Sequence, residues 1–399
     1  MNSLPFPLVI IALVLLSSPH LSVQAKSGPM TESFLSRKGK FKRLGLELEL
    51  GRSGHCLSLI SGHLVFVGGG GWGDWGGEAK AEIINLQSGQ VHTVQKQMTV
   101  PRSNARLVTL PDGRLMLLGG STDFEVSLRS TEIFEPKSED LQAGPDMAFE
   151  RSGHTASVLN DGRIFIVGGM DSDFVHDSIE LFDPKTKTFQ TLSAKLAEPR
   201  MNHTATLIDD RFLVIAGGET GPSPANPDHE TAFLSSVEVY DIRLNSIIAV
   251  KNKMTSPKTF HTAVAFNDKK VVFVGGLSAL SESSDELEVF DLNNLKIHRA
   301  GKLTIARSLH AMAHLKSGDI FISGGVSEGI PQRSTERCRW TLEERFDCRR
   351  DAAMSTARWM HENQVLPDGR LLVLGGLTNV AEPGRSRPGP SHSAEIFLP

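Results

Sequence analysis

Beyond residue 25 the chain has no apolar run long enough to cross a membrane as a helix. Nor is there an excess of either charge. The 42 Lys and Arg stand against 46 Asp and Glu, and a formal net charge of −4 argues against a general nucleic-acid binder. Neither a His-Glu-x-x-His zinc helix nor a Gly-x-Ser-x-Gly nucleophile elbow occurs. Residues 71–76 do fit Gly-x-Gly-x-x-Gly, but no helix pattern follows to offer its N-terminus to a phosphate. No cofactor and no resident metal is therefore expected. Residues 1–25 lack Lys, Arg, Asp and Glu, and their apolar core at 8–16 is short for a bilayer. With small residues before Lys26, the segment reads as a signal peptide, followed by a flexible leader at 26–37. The expected location is secreted or periplasmic. No cysteine stands at the cleavage point, which argues against a lipid anchor.

What the chain does have is repetition. Its clearest phrase is Arg151-Ser-Gly-His-Thr-Ala-Ser-Val-Leu-Asn-Asp-Gly-Arg-Ile-Phe-Ile-Val-Gly-Gly169, closed by Ser178-Ile-Glu-Leu-Phe-Asp-Pro184. Apolar runs end in glycine doublets at Gly68-Gly69, Gly119-Gly120, Gly168-Gly169, Gly217-Gly218, Gly275-Gly276, Gly324-Gly325 and Gly375-Gly376. Successive first glycines lie 51, 49, 49, 58, 49 and 51 residues apart, a period that signals a repeat architecture. The run before each doublet, such as Val271-Val-Phe-Val274, is β-branched and does not alternate, as suits a strand covered on both faces. A strand precedes it across a tight turn such as Asn160-Asp-Gly-Arg163, and two more follow, near Glu180-Leu-Phe-Asp183 and Phe189-Gln-Thr-Leu192. Four antiparallel strands per repeat make one blade of a propeller.

The glycine doublet, the Arg-x-x-His opening, the Val237-Glu-Val-Tyr-Asp241 pattern and the period resemble the kelch family of β-propellers, over about residues 40 to 399. The expected fold is all-β: a seven-bladed kelch propeller occupying 38–399. The seventh repeat stops at its third strand, Ser393-Ala-Glu-Ile-Phe-Leu-Pro399, whereas residues 44–50 alternate like a strand that has no partner of its own. The N-terminal strand is expected to complete the last blade and remove the open edge. The family usually places Trp on the fourth strand. Here only Phe189 clearly fills that position.

Every repeat opens with a cation: Arg52, Arg102, Arg151, Arg200, Lys258, Arg307 and Arg358. Every third strand carries a carboxylate: Glu82, Glu132, Glu180, Glu238, Glu288, Glu336 and Glu395. Matching in all seven repeats favours a buried structural ion pair over a basic ligand ring. His55, His154, His203, His261, His310 and His361 each follow the cation by three, with Ala105 in the second repeat. One histidine per blade is too dispersed to converge on one zinc ion, so a structural hydrogen-bonding role is expected.

In such a blade the loops between strands two and three share one rim, the upper face, with the blade-to-blade connections. Their lengths vary at 70–80, 121–130, 219–236 and 377–393, which marks the upper face for binding. Trp72, Asp74 and Trp75 on a glycine-rich support, His229, and Arg385 with Arg387 are the candidate contacts. Asp171, Asp173 and Asp177 are a thin beginning for a calcium site. Cys338 and Cys348 flank a hairpin about Glu343 and are the candidate disulfide; Cys56 reads as a buried thiol. Asn202-His-Thr204 fits a glycosylation sequon on an inner strand.

Galactose-oxidase-like enzymes use a similar propeller, but their copper site needs several tyrosines, and this chain has only Tyr240. The reading is an exported monomeric scaffold for a protein segment or glycan. A sugar-acting enzyme resembling the sialic-acid mutarotases, or a structural part of an envelope assembly, is the alternative.

Overall fold

The computed structural model describes residues 38–71, 76–122, 126–267, 269–379 and 389–399. The segments 1–25 and 26–37 lie outside the described residues. Among the described residues, seven four-stranded antiparallel sheets form a propeller. The inner strands of blades 1 to 7 are His55–Leu59, Arg106–Thr109, Thr155–Val158, Thr204–Ile208, Thr262–Phe266, Ala311–His314 and Glu362–Val365. Strand two is buried along nearly its whole length in every blade; Ile164–Val167 and Leu371–Leu374 are buried throughout. The reason is visible in the core, which lies between blades. Phe165, Val167 and Ile179 of blade 3 pack with Leu213, Ile215 and Tyr240 of blade 4, so both faces of a central strand are covered and neither needs polar residues.

The glycine doublets hold neighbouring blades together. The second glycine's N–H donates to the carbonyl of the next blade's opening cation at 2.8–3.0 Å in all seven joints, ending with Gly376 to Arg52. A Cβ on the first glycine would come within 2.4–2.7 Å of that same carbonyl oxygen, and the glycine sits at positive φ. No other residue fits both demands. In blade 1 the pair that does this is Gly69-Gly70, one residue later than the sequence pattern suggested, because Gly68 still belongs to the strand Leu64–Gly69.

The last blade is completed from the other end of the chain. Lys40–Glu47 pairs antiparallel with Ser393–Leu398 as its outermost strand, with Phe41 opposite Phe397 and Lys42 opposite Ile396. The strand starts earlier than the alternation at 44–50 implied, and its register shifts between Arg43 and Glu47. The alternating leucines instead serve the turn into blade 1: Leu46 and Leu48 are buried, and Leu48 is held by His392. Phe41 stacks on Phe397 with ring centroids 5.1 Å apart and supplies the fourth-strand aromatic of this blade. Cys338 and Cys348 are directly paired across strands three and four of blade 6 and form a disulfide. Among the described residues no helix is long and apolar enough to cross a membrane.

Candidate functional site

At the upper end of each inner strand the structure sets the opening cation against the third-strand glutamate. The seven closest nitrogen–oxygen distances are 2.5–3.4 Å, and the cation and carboxylate are both buried in every case. Each glutamate also accepts the backbone N–H of the residue three before the cation, at 2.6–2.8 Å, from Glu49 in blade 1 to Ser355 in blade 7. In the six arginine blades a guanidinium Nη1 donates to the carbonyl of the first glycine at 2.5–3.0 Å. One ion pair thus ties together the incoming connection, the end of strand two and strand three. With each cation buried against its own glutamate inside the blade, the ring offers no cationic surface to a ligand.

The six histidines are buried beside this ring. Burial, with nearby arginines or Lys258, pushes His55, His261 and His310 down to about 3 and keeps His154, His203 and His361 well below the ordinary value. They are neutral imidazoles. Four of them meet a hydroxyl across a blade joint: His203 with Thr155, His261 with Thr204, His310 with Thr262 and His361 with Ser323, at 2.8–3.0 Å. Among the described residues neither ring nitrogen of His55 or His154 has a hydrogen-bond partner. Among the described residues no three His, Cys, Asp or Glu side chains gather as a metal site. The aspartates of blade 3 go separate ways. Asp171 accepts the N–H of Asp173 and Phe174 and faces His176, while Asp177 pairs with Lys195. Asn202 precedes its inner strand rather than lying on it. It is buried at φ 54°, and its amide donates to Glu219.

The upper rim is built from the loops after the doublets. Three of them rise as short hairpins: Glu219–Thr220 with Ala232–Phe233, Val326–Ser327 with Ile330–Pro331, and Leu377–Thr378 with Gly389–Pro390. His229 is half-buried in the first, its Nδ1 2.7 Å from the Glu230 carbonyl. Trp72, Asp74, Trp75, Arg385 and Arg387 lie outside the described residues. The rim also carries apolar side chains that sequence reasoning missed: Leu280 is 79% and Ile330 61% exposed, on adjacent blades, with Val126 and Phe149 further round. Periodicity points to buried positions and cannot flag a lone apolar residue in a loop.

A family model for the KLHDC2/KLHL20/DRC7 Kelch-repeats domain matches residues 135–325. The chain is a kelch-repeat propeller. Alpha-scruin of Limulus polyphemus is 29% identical over 46% of the chain and 20% of that protein. Galactose oxidase of Gibberella zeae is 23% identical over 66% of the chain and 41% of the oxidase. Kelch-like protein 34 of Homo sapiens is 23% identical over 78% of the chain and 47% of its own length. The chain therefore spans less than half the length of these relatives. The single tyrosine of this kelch propeller, Tyr240, is buried and donates its hydroxyl to Asn245 at 2.8 Å. It stands in the third strand of blade 4, Val237–Asp241.

Proposed function

We propose that this kelch propeller is an exported, monomeric binding scaffold that holds a protein segment on its upper rim. The observation that carries the reading is the contrast between the two kinds of surface. The repeated charges are locked inside the blades, whereas the variable loops lift Leu280, Ile330, Val126 and Phe149 into solvent on one face. Exposed apolar side chains beside long loops are what a docking peptide buries. Trp72 and Trp75 belong to the same set of upper loops by sequence. Export is supported by the composition of residues 1–25 and by the Cys338–Cys348 disulfide, a bond favoured outside reducing compartments. The test is affinity capture by the mature protein from its native medium or envelope fraction. The variant pairs L280S/I330S and W72A/W75A should each lose the captured polypeptide, and the first pair, whose side chains are exposed, should shift the melting temperature by no more than about 2 °C. L244S/L342S, at exposed hairpin tips on the lower face, should retain it. Loss confined to the lower-face pair overturns the reading.

A further inference from the structure

The position one after each histidine faces the next blade. In blades 3, 4 and 5 it is Thr155, Thr204 and Thr262, and each meets the following histidine. In the other four blades, 6, 7, 1 and 2, which are consecutive around the ring, the same position carries Ala311, Glu362, Cys56 and Arg106; at the joint after blade 6 Ser323 of strand two meets His361 instead. The threonine–histidine contact is missing at their joints. Among the described residues, His55, following Glu362, and His154, following Arg106, are the two of the six ring histidines without a hydrogen-bond partner on either nitrogen. One contiguous sector of the channel wall has thus exchanged its hydroxyls for a carboxyl, a thiol and a guanidinium.

Arg106 is the anomaly. Eight Lys or Arg side chains are buried among the described residues. Seven are the opening cations, each with its glutamate; Arg106, 5% exposed, is the eighth and makes no ion pair. Its Nε donates to the His154 carbonyl at 2.5 Å, and its two Nη groups have no hydrogen bond among the described residues. Burial lowers it to about 10, offset by nearby Cys56 and Glu362. Glu362, half-buried at the channel wall, is held well above the usual carboxylate range by burial, which Arg106 only partly opposes. The stem of Arg106 is buried, but its Nη groups are not among the buried unpartnered atoms, so the fork opens to solvent and is free to take an oxyanion in a charge-assisted pair.

We propose that Arg106 anchors a site for a small carboxylate-bearing molecule in the channel wall between blades 7, 1 and 2, with Glu362 and His154 beside it. A singly charged carboxylate suits the site better than a phosphate dianion, because Glu362 adds a second negative charge whenever it ionises. This site is separate from the rim and stands or falls independently of the rim's role.

The experiment is ligand-observed NMR with ¹³C-acetate at constant ionic strength, with inorganic phosphate as competitor. The mature protein should bind acetate saturably. Losing a charge-assisted pair in Arg106→Gln should weaken it by about tenfold or more. Arg106→Lys should fall between, and Glu362→Gln should bind at least as well as the parent. Acetate binding unchanged in R106Q, phosphate binding more tightly than acetate, or no saturable binding below about 0.1 M overturns the assignment. Should R106Q fail to fold, R106K and E362Q decide. Weakening in the first with retention in the second supports the site, and no change in either refutes it.

Discussion

Replacing Arg151 by Met tests the claim that the cation ring is an internal strut rather than a ligand surface. Arg151 gives Nε to Glu180 at 2.8 Å, Nη1 to the Gly168 carbonyl at 2.5 Å and Nη2 to the Ser178 hydroxyl at 2.7 Å. Both ion-pair partners are fully buried. After the change Glu180 retains the Ala148 N–H at 2.7 Å but no cation, and a buried carboxylate so stranded costs about 3–5 kcal/mol. In a chain of this size that corresponds to a fall of roughly 4–7 °C in Tm. The double variant R151M/E180Q, in which a neutral amide can still accept from Ala148, should recover about half of the loss. Urea unfolding followed by circular dichroism of the parent, R151M, E180Q and the double variant gives the coupling. R163Q is the control. Arg163 and Asp161 are also 2.8 Å apart, but with side chains 38% and 48% exposed, so that change should cost under about 1 kcal/mol. If R151M lies within about 1 kcal/mol of the parent, or the double variant loses the sum of the singles, the strut argument fails.

Three further outcomes follow from the same geometry. Deleting residues 38–50 exposes the edge of Ser393–Leu398 and should give aggregation in size-exclusion chromatography; a well-folded monomer would refute the closure's importance. Stability should fall as pH drops from about 6.5 toward 3, because the unfolded chain takes up protons that the buried imidazoles of His55, His261 and His310 refuse. Each such histidine contributes a slope of up to about 1.4 kcal/mol per pH unit, lost when it is replaced by Gln; an unchanged acid limb in H261Q, measured by urea midpoints across pH, would contradict this. The double change C338S/C348S opens a short hairpin loop and should lower stability by at most about 3 kcal/mol without altering the fold, read by the same urea midpoints; a larger loss would mean that the bond does more than restrict the unfolded chain.

The blade count, the strand order and the cation–glutamate pairing were all readable because each is repeated seven times, and repetition makes a local rule visible above local noise. The closing strand was readable for a different reason. A blade one strand short at one end and an unpartnered strand at the other are complementary defects. Its bounds were not, because Lys40 and Lys42 face solvent and Phe41 stands alone, so nothing in 40–43 alternates strongly enough to announce a strand. The same limit displaced the first doublet: in Gly68-Gly-Gly-Gly71 the sequence does not say which pair turns, and only the Gly70 N–H on the Arg102 carbonyl decides it.

What the sequence hid is what breaks the repeat. Averaging seven copies treats Glu362, Cys56 and Arg106 as noise at a position where threonine recurs, and it treats Leu280 and Ile330 as loop filler. Yet a ring of equivalent wedges has no preferred sector until some blades differ from the rest. A symmetric scaffold can bind an asymmetric ligand only where its symmetry fails, so function in this fold should be sought among the exceptions. The channel-wall exceptions are contiguous over blades 7, 1 and 2, and the two most exposed apolar residues of the rim lie on adjacent blades 5 and 6. These are different sectors on different surfaces, one inside the channel and one on the rim. A ligand at either leaves the other accessible, and variants of one should not disturb binding at the other.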